Sequence, residues 1–293
     1  MRILVAAALT AAATMLSPAV RAEQSEARTR CFAREGVSIE LKLDACTAVI
    51  ESGQETPRGL IALFNARGNA RLDNRDFDRA IDDYSEAIRL DPKFAVAFNN
   101  RGLGYQRKNQ YDLAIQNYDE AIRLNPQYAL AFVNRSNAHR SKARFDLAIA
   151  DAGQAIGLNP NLASAYFARA IAYQERAQWD FEAYLNEGLY EDRAIQDYDE
   201  VIRRAPNNAA ALRNRGFLHT RQRQYDRAIA DFDEAIRLDA TAASAFTGRA
   251  YASRFTGQYD RAIGDYRKAL TLKIDDATKR AIERALKQLG AGS

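Results

Sequence analysis

The sequence predicts an all-α protein assembled from repeated helix pairs, and three observations predict it. The stretch "FDRAIDDYSEAIRLDP" at 77–92 returns as "YDLAIQNYDEAIRLNP" at 111–126, "FDLAIADAGQAIGLNP" at 145–160 and "YDRAIADFDEAIRLD" at 225–239. Helix breakers are scarce, with 15 glycines and 6 prolines in 293 residues. Four of the prolines, Pro92, Pro126, Pro160 and Pro206, mark one register at spacings of 34, 34 and 46, the last being 34 plus an insertion of 12. Self-similarity at such a period is the signature of stacked supersecondary units. The composition, 47% hydrophobic and 27% charged, is that of a chain able to bury a core.

The elements follow in order. Residues 1–22 are set apart from the rest: Arg2, an apolar run from Ile3 to Leu16, then Pro18 and a small-x-small ending at Val20 and Ala22. This is the layout of a secretory signal peptide with cleavage after Ala22. A retained membrane anchor is the alternative, but the run is shorter than the roughly 20 residues a span requires. Cleavage would remove Arg2 and Arg21 and lower the formal charge from +4 to +2. A periplasmic or secreted chain so near neutrality is a poor candidate for nucleic-acid binding, and no stable membrane anchor remains. In residues 23–60 stand Cys31 and Cys46, 15 apart. An even pair in an exported chain reads as a disulfide, two buried thiols being the alternative.

Placing Pro92 at position 32 of a unit sets six repeats over 61–274, starting at Ile61, Ala95, Ala129, Ala163, Ala209 and Ala243. Position 4 is large and apolar (Phe64, Phe98, Phe132, Tyr166, Leu212, Phe246) and position 8 is small (Gly68, Gly102, Ser136, Ala170, Gly216, Ala250). Position 20 is alanine throughout, and position 24 is aromatic except for Ala152. These spacings put one apolar stripe on each of two helices, and the small residues let the two approach closely. The aspartates at position 18 (Asp78, Asp112, Asp146, Asp226, Asp260) suit the N-cap of the second helix. Residues 275–293 contain an amphipathic stretch, with Ala281, Ile282, Ala285, Leu286 and Leu289 on one face, that reads as a terminal cap.

The period and the small–large–small pattern resemble the tetratricopeptide repeat (TPR) family. The resemblance implies a right-handed α-solenoid, a superhelix of antiparallel helix pairs closed by a C-terminal capping helix, with stacked neighbours burying a continuous core. "LDACTAVIESG" at 43–53 resembles a divergent second helix in which Cys46 takes position 24, making 23–60 an N-terminal half-repeat.

Position 7, leucine in the usual TPR pattern, is arginine six times here: Arg67, Arg101, Arg135, Arg169, Arg215 and Arg249. Position 23 is acidic in five repeats (Asp83, Asp151, Asp197, Asp231, Asp265) and Asn117 in the second. The covariation predicts a ladder of Arg–Asp pairs with one Arg–Asn hydrogen bond, a basic stripe for acidic partners being the alternative.

What varies between copies carries function. The family's concave groove, lined by first-helix positions 2, 5, 6, 9, 12 and 13, implies a peptide or protein ligand. Asn65, Asn69, Asn99, Asn100, Asn134 and Asn137 occupy such positions early, and Phe167, Arg213, Phe217, Tyr251, Arg254 and Phe255 occupy them later. Amides suit an extended backbone, while aromatics and arginine dominate interface energetics. The family's carboxylate clamp is matched only at Asn69 and Asn100, without its cations. The fourth repeat carries the 12-residue insert 181–192, "FEAYLNEGLYED", with Phe181, Tyr184 and Tyr190 among four acids. It reads either as a longer hairpin or as a docking protrusion.

No chemistry emerges. His139 and His219 both take position 11 and read as packing residues rather than metal ligands or bases. No phosphate loop, nucleophile elbow or zinc-binding helix occurs. The expectation is a protein–protein interaction scaffold or adaptor with no catalytic residue, cofactor or metal. The alternative is a regulatory or assembly subunit of a cell-envelope enzyme complex docking through the insert.

Overall fold

The computed structural model describes residues 18–33, 35–179 and 187–291. Residues 1–17 of the predicted signal segment lie outside the described residues, as do Phe181 and Tyr184 of the insert. Among the described residues there are helices and no strand, in two compact bodies, 1–110 and 111–293.

The first body holds α1 (Pro18–Phe32), α2 (Ile39–Glu51), α3 (Pro57–Asp73), α4 (Phe77–Leu90) and α5 (Ala95–Arg107). Cys31 of α1 and Cys46 of α2 are disulfide-bonded, with Cα atoms 4.8 Å apart. Both are buried with Ala45, Val49 and Leu63, so the cross-link sits in a small core joining α1 and α2 to α3. Ser38 and Thr56 cap α2 and α3, each hydroxyl accepting a backbone N–H three residues on.

The second body continues with α6 (Tyr111–Leu124), α7 (Ala129–Ser141), α8 (Phe145–Leu158), α9 (Ala163–Trp179), α10 (Glu187–Arg204), α11 (Ala209–Arg221), α12 (Tyr225–Leu238), α13 (Ala243–Phe255), α14 (Tyr259–Leu270) and α15 (Asp276–Gln288). The closing helix buries Ile282 and Leu286 against Phe246, Ala262 and Tyr266 of the last repeat, although Ala281, placed on the same face by the sequence, is exposed.

The repeat stripes form the core. The six position-20 alanines and the five position-24 rings are all buried, and a Cβ added at Gly68 would lie 2.6 Å from the Tyr84 ring. The small residue at position 8 is therefore what the aromatic at 24 requires.

Position 18 behaves differently from its expectation. The second helices begin at position 17, so the N-cap is position 16, filled by Asp76 in α4. The aspartates at 18 sit inside the first turn, where carboxylates favour the helix dipole. Three also reach position 14 of the following repeat: Lys108 pairs with Asp78, Lys142 with Asp112 and Arg176 with Asp146 at 3.3 Å; in the fourth repeat the insert's last residue, Asp192, takes that place and accepts from Gln222 at 2.8 Å. The turn between the helices places position 15 in the left-handed region: Arg75, Asn109, Ala143 and Arg223 have φ of 54–61°, and Gly257 has 75°.

Candidate functional site

The arginines of position 7 are structural. Each guanidinium of Arg67, Arg135, Arg169, Arg215 and Arg249 forks onto the position-23 carboxylate of its own repeat, with bonds of 2.6–3.2 Å. Four of these, with Arg101, also stack on the position-4 ring, guanidinium to centroid 5.4–5.9 Å; Leu212 leaves Arg215 without one. In Arg135, Arg215 and Arg249 the remaining N–H group reaches position 25 of the preceding repeat, an acceptor outside the repeat pattern read from one copy. Arg135 meets Asp119 and Arg249 meets Asp233, each at 2.6 Å, and Arg215 meets Asp199. In the first body Arg101 donates to Ser85 and Arg67 to Thr47, each at 3.1 Å, so α2 keeps the repeat register. The five described Arg–Asp pairs thus spend their charge inside the fold.

Position 11 adds a second neighbour to the same carboxylates. Arg71 lies 2.8 Å from Asp83; His139 and His219 lie 3.8 Å from Asp151 and Asp231. Both imidazoles are buried, and burial holds each below its ordinary pKa, with the neighbouring aspartate pulling the other way and Arg135 or Arg215 reinforcing the fall. Both sit at packing positions where burial favours the neutral imidazole.

In the first body the groove asparagines turn to one another. Asn100 donates to Asn65 at 3.0 Å and to Asn69 at 3.1 Å, Asn99 donates to Asn100 at 3.1 Å, and Tyr84 Oη donates to Asn69 at 2.8 Å. Asn65 and Asn100 are half-buried and Asn69 exposed, so the cluster offers a pre-ordered amide surface rather than isolated donors. Asn134 and Asn137 stand half-buried on α7 of the second body.

The second body brings the later groove residues together. Phe217, Thr247, Tyr251 and Phe255, at positions 5, 9 and 13 of α11 and α13, line one cleft of about 910 Å³. Gln174 and Gln178 of the lengthened α9, Thr220 and Arg221 of α11, Arg223 of the turn and Tyr225 of α12 complete it. Tyr225 was invisible to the groove pattern because it belongs to a second helix. Its ring stacks on Phe255 with centroids 4.9 Å apart and planes at 10°, and Tyr251 lies 4.9 Å from the same ring. Phe255 nonetheless keeps 52% of its surface exposed and Tyr251 44%. Phe217 is anchored edge-on against buried Phe232 at 5.1 Å. Gly248 is required there, since a Cβ would collide with Phe232 and stand 3.0 Å from Phe217. Phe167 packs edge-on against Tyr198 at 5.9 Å, outside the cleft lining, and Arg213 and Arg254 are half-buried and do not line it.

The described part of the insert is absorbed into the fourth repeat. α9 has 17 residues against 13 in α7 and α11, and α10 has 18 against 14 in α8 and α12, about one extra turn each. Tyr190 packs on Tyr173 at 6.1 Å. Glu191 meets Arg221 at 2.7 Å; burial, reinforced by Asp192, pushes its carboxyl up, and burial pushes the guanidinium down. Asp192 accepts from Gln222. Two of the insert's four acids are thereby engaged within the molecule. Among the described residues no group of His, Cys, Asp and Glu could hold a metal ion, and no helix is long and apolar enough to cross a membrane.

Three family models match the sequence: a tetratricopeptide repeat model over 95–128, a TPR repeat model over 68–109, and a second tetratricopeptide repeat model over 183–243 and 218–277. No curated protein matches. Among solved structures the chain is similar to a tetratricopeptide repeat protein from Parabacteroides merdae, with TM-score 0.62 and 17% identity over 92% of this chain and 99% of that one. It is similar to pilF of Pseudomonas aeruginosa, with TM-score 0.68 and 14% identity over 79% and 100% of the two chains. It is also similar to a thermophilic TPR protein of Thermus thermophilus, with TM-score 0.52 and 21% identity over 66% and 99%. At these identities the likeness speaks for the fold alone.

Proposed function

Starting from a chain that belongs to the tetratricopeptide repeat family, we propose that it is a non-catalytic scaffold or adaptor that holds a peptide or protein partner in its groove. The observation that carries this reading is the cleft of the second body. Groove positions of α9, α11 and α13 converge on it and leave two large rings half-exposed. Exposed aromatic surface in a preformed concavity is the usual mark of a binding site. The asparagine cluster of the first body is a second surface suited to peptide backbone. Docking through the insert is the weaker reading, because Glu191 and Asp192 already have internal partners.

Export is part of the same proposal. The disulfide supports it, since such bonds persist in oxidising compartments. Fractionation with thiol alkylation tests it: recovery in the cytosol with both cysteines reactive would overturn it.

A photo-crosslinking residue placed in turn at 255, at Leu189 of the insert and at exposed Leu147 of α8 tests the groove. Crosslinks to one partner from 255 alone are expected. Crosslinks from 189 and not from 255 would move the interface to the insert.

A further inference from the structure

We infer that the cleft between α9, α11 and α13 selects a short acidic peptide segment centred on an aromatic side chain. This inference rests on the groove being the binding surface and names the ligand that surface would take. The floor is aromatic: Phe217, Tyr225, Tyr251 and Phe255, with Tyr225 and Phe255 already in parallel contact at 4.9 Å. A further ring extends such an array by offset or edge contact, which contributes beyond the area it buries. A volume of about 910 Å³ accommodates more than one side chain, so the occupant is a segment.

The charge of the lining fixes the rest. Among the described residues two arginines and no acid line the cleft. Arg221 is engaged by Glu191, whereas Arg223 is exposed and makes no ion pair among the described residues. Its backbone has φ of 59°, where glycine or asparagine is the usual choice. That turn projects a guanidinium onto the rim at a position held by Ala143 in the third repeat and Gly257 in the sixth. Gln174, Gln178, Thr220 and Thr247 supply uncharged donors and acceptors for backbone amides. A basic segment would meet like charge. An acidic one gains a charge-assisted bond at Arg223, while Arg221 is already balanced by Glu191.

The test is fluorescence anisotropy on the full chain with a labelled peptide carrying one tryptophan flanked by aspartate and glutamate. Three controls replace the tryptophan with alanine, the acids with their amides, or the acids with lysine. A labelled oligothymidylate is run alongside. Tight binding of the acidic aromatic peptide is expected, with all three controls at least about tenfold weaker. Phe255→Ala and Arg223→Gln should each weaken binding, and Arg223→Gln should also flatten its salt dependence, while Leu147→Ser changes neither. Equal affinity for the lysine peptide, tighter binding of the oligonucleotide, or an unaltered Arg223→Gln variant would overturn the inference. If the acidic peptide fails while position 255 still crosslinks to a cellular partner, the ligand class is wrong and the groove reading stands. Loss of both removes both.

Discussion

Replacing Arg249 with leucine, the residue the family usually carries at this position, should destabilise the last repeat severely. The guanidinium makes two bonds to Asp265, at 2.6 and 2.7 Å, and one to Asp233 at 2.6 Å, and it stacks on Phe246. Asp265 is 6% exposed. Its position-11 neighbour is Ser253, whose buried hydroxyl has no hydrogen-bond partner among the described residues, so position 11 supplies no second cation here. Breaking a buried pair from one side leaves an uncompensated charge and costs about 3–5 kcal/mol. Leucine recovers some apolar burial, so the net loss should be near 3 kcal/mol. Arg67→Leu should cost about half as much, because Arg71 remains 2.8 Å from Asp83 to hold the orphaned carboxylate. Repeat arrays unfold piecewise, so the assay is native-state hydrogen exchange read separately over 243–288 and 61–90, supported by urea titration. The double variant Arg249→Leu, Asp265→Leu should regain most of the loss. Equal costs for Arg67→Leu and Arg249→Leu, or a cost for Arg249→Leu under about 1 kcal/mol, would refute the ladder as a structural device.

Three further predictions follow from other elements. Replacing Cys31 and Cys46 with serine should cost about 3 kcal/mol in the chain-entropy model, and exchange should rise first in α1 and α2; protection unchanged there would show the bond to be dispensable. Ala143→Gly should stabilise by about 0.5–1 kcal/mol, because φ is 54° and glycine removes the Cβ penalty; a lower urea midpoint would contradict this. Burial lowers the pKa of His139 and His219 in the folded state, so below about pH 6.5 the unfolded chain binds protons that the folded chain refuses, and stability falls with pH. His139→Gln with His219→Gln should shrink the loss in urea midpoint between pH 7.5 and 5.5; an equal loss would place the titration elsewhere.

Much of this fold was legible because each repeat buries the same contacts. Gly68 faces Tyr84 and Gly216 faces Phe232, so the small-against-large rule at positions 8 and 24 appears in the sequence as a period. The Arg–Asp ladder was legible for the same reason. What escaped notice depends on the junction between repeats. The two ladders, from 7 to 25 and from 14 to 18, join neighbouring copies, and a pattern within one copy gives no register between two. Asp78 looked like a cap because Asp, Ser, Thr and Asn commonly cap helices, but the left-handed residue at position 15 starts the helix two residues earlier. The candidate site was legible in part. Phe217, Tyr251 and Phe255 follow from groove spacing and Gln174 stands at its position 12, while Tyr225, Gln178 and Arg223 come from a second helix, the lengthened end of a helix and a turn outside that spacing. The asparagines show the reverse limit: amides placed one groove position apart carry both donors and acceptors and satisfy one another.

The central claim is that partners seat against α9, α11 and α13 in the second body. Hydrogen exchange of the full chain, with and without its crosslinked partner purified to homogeneity, measures this directly. The account predicts new protection concentrated in 213–225 and 247–255, with the exposed face of α8 around Leu147 unchanged. Protection confined to 187–192, or to surfaces away from the cleft, would contradict it.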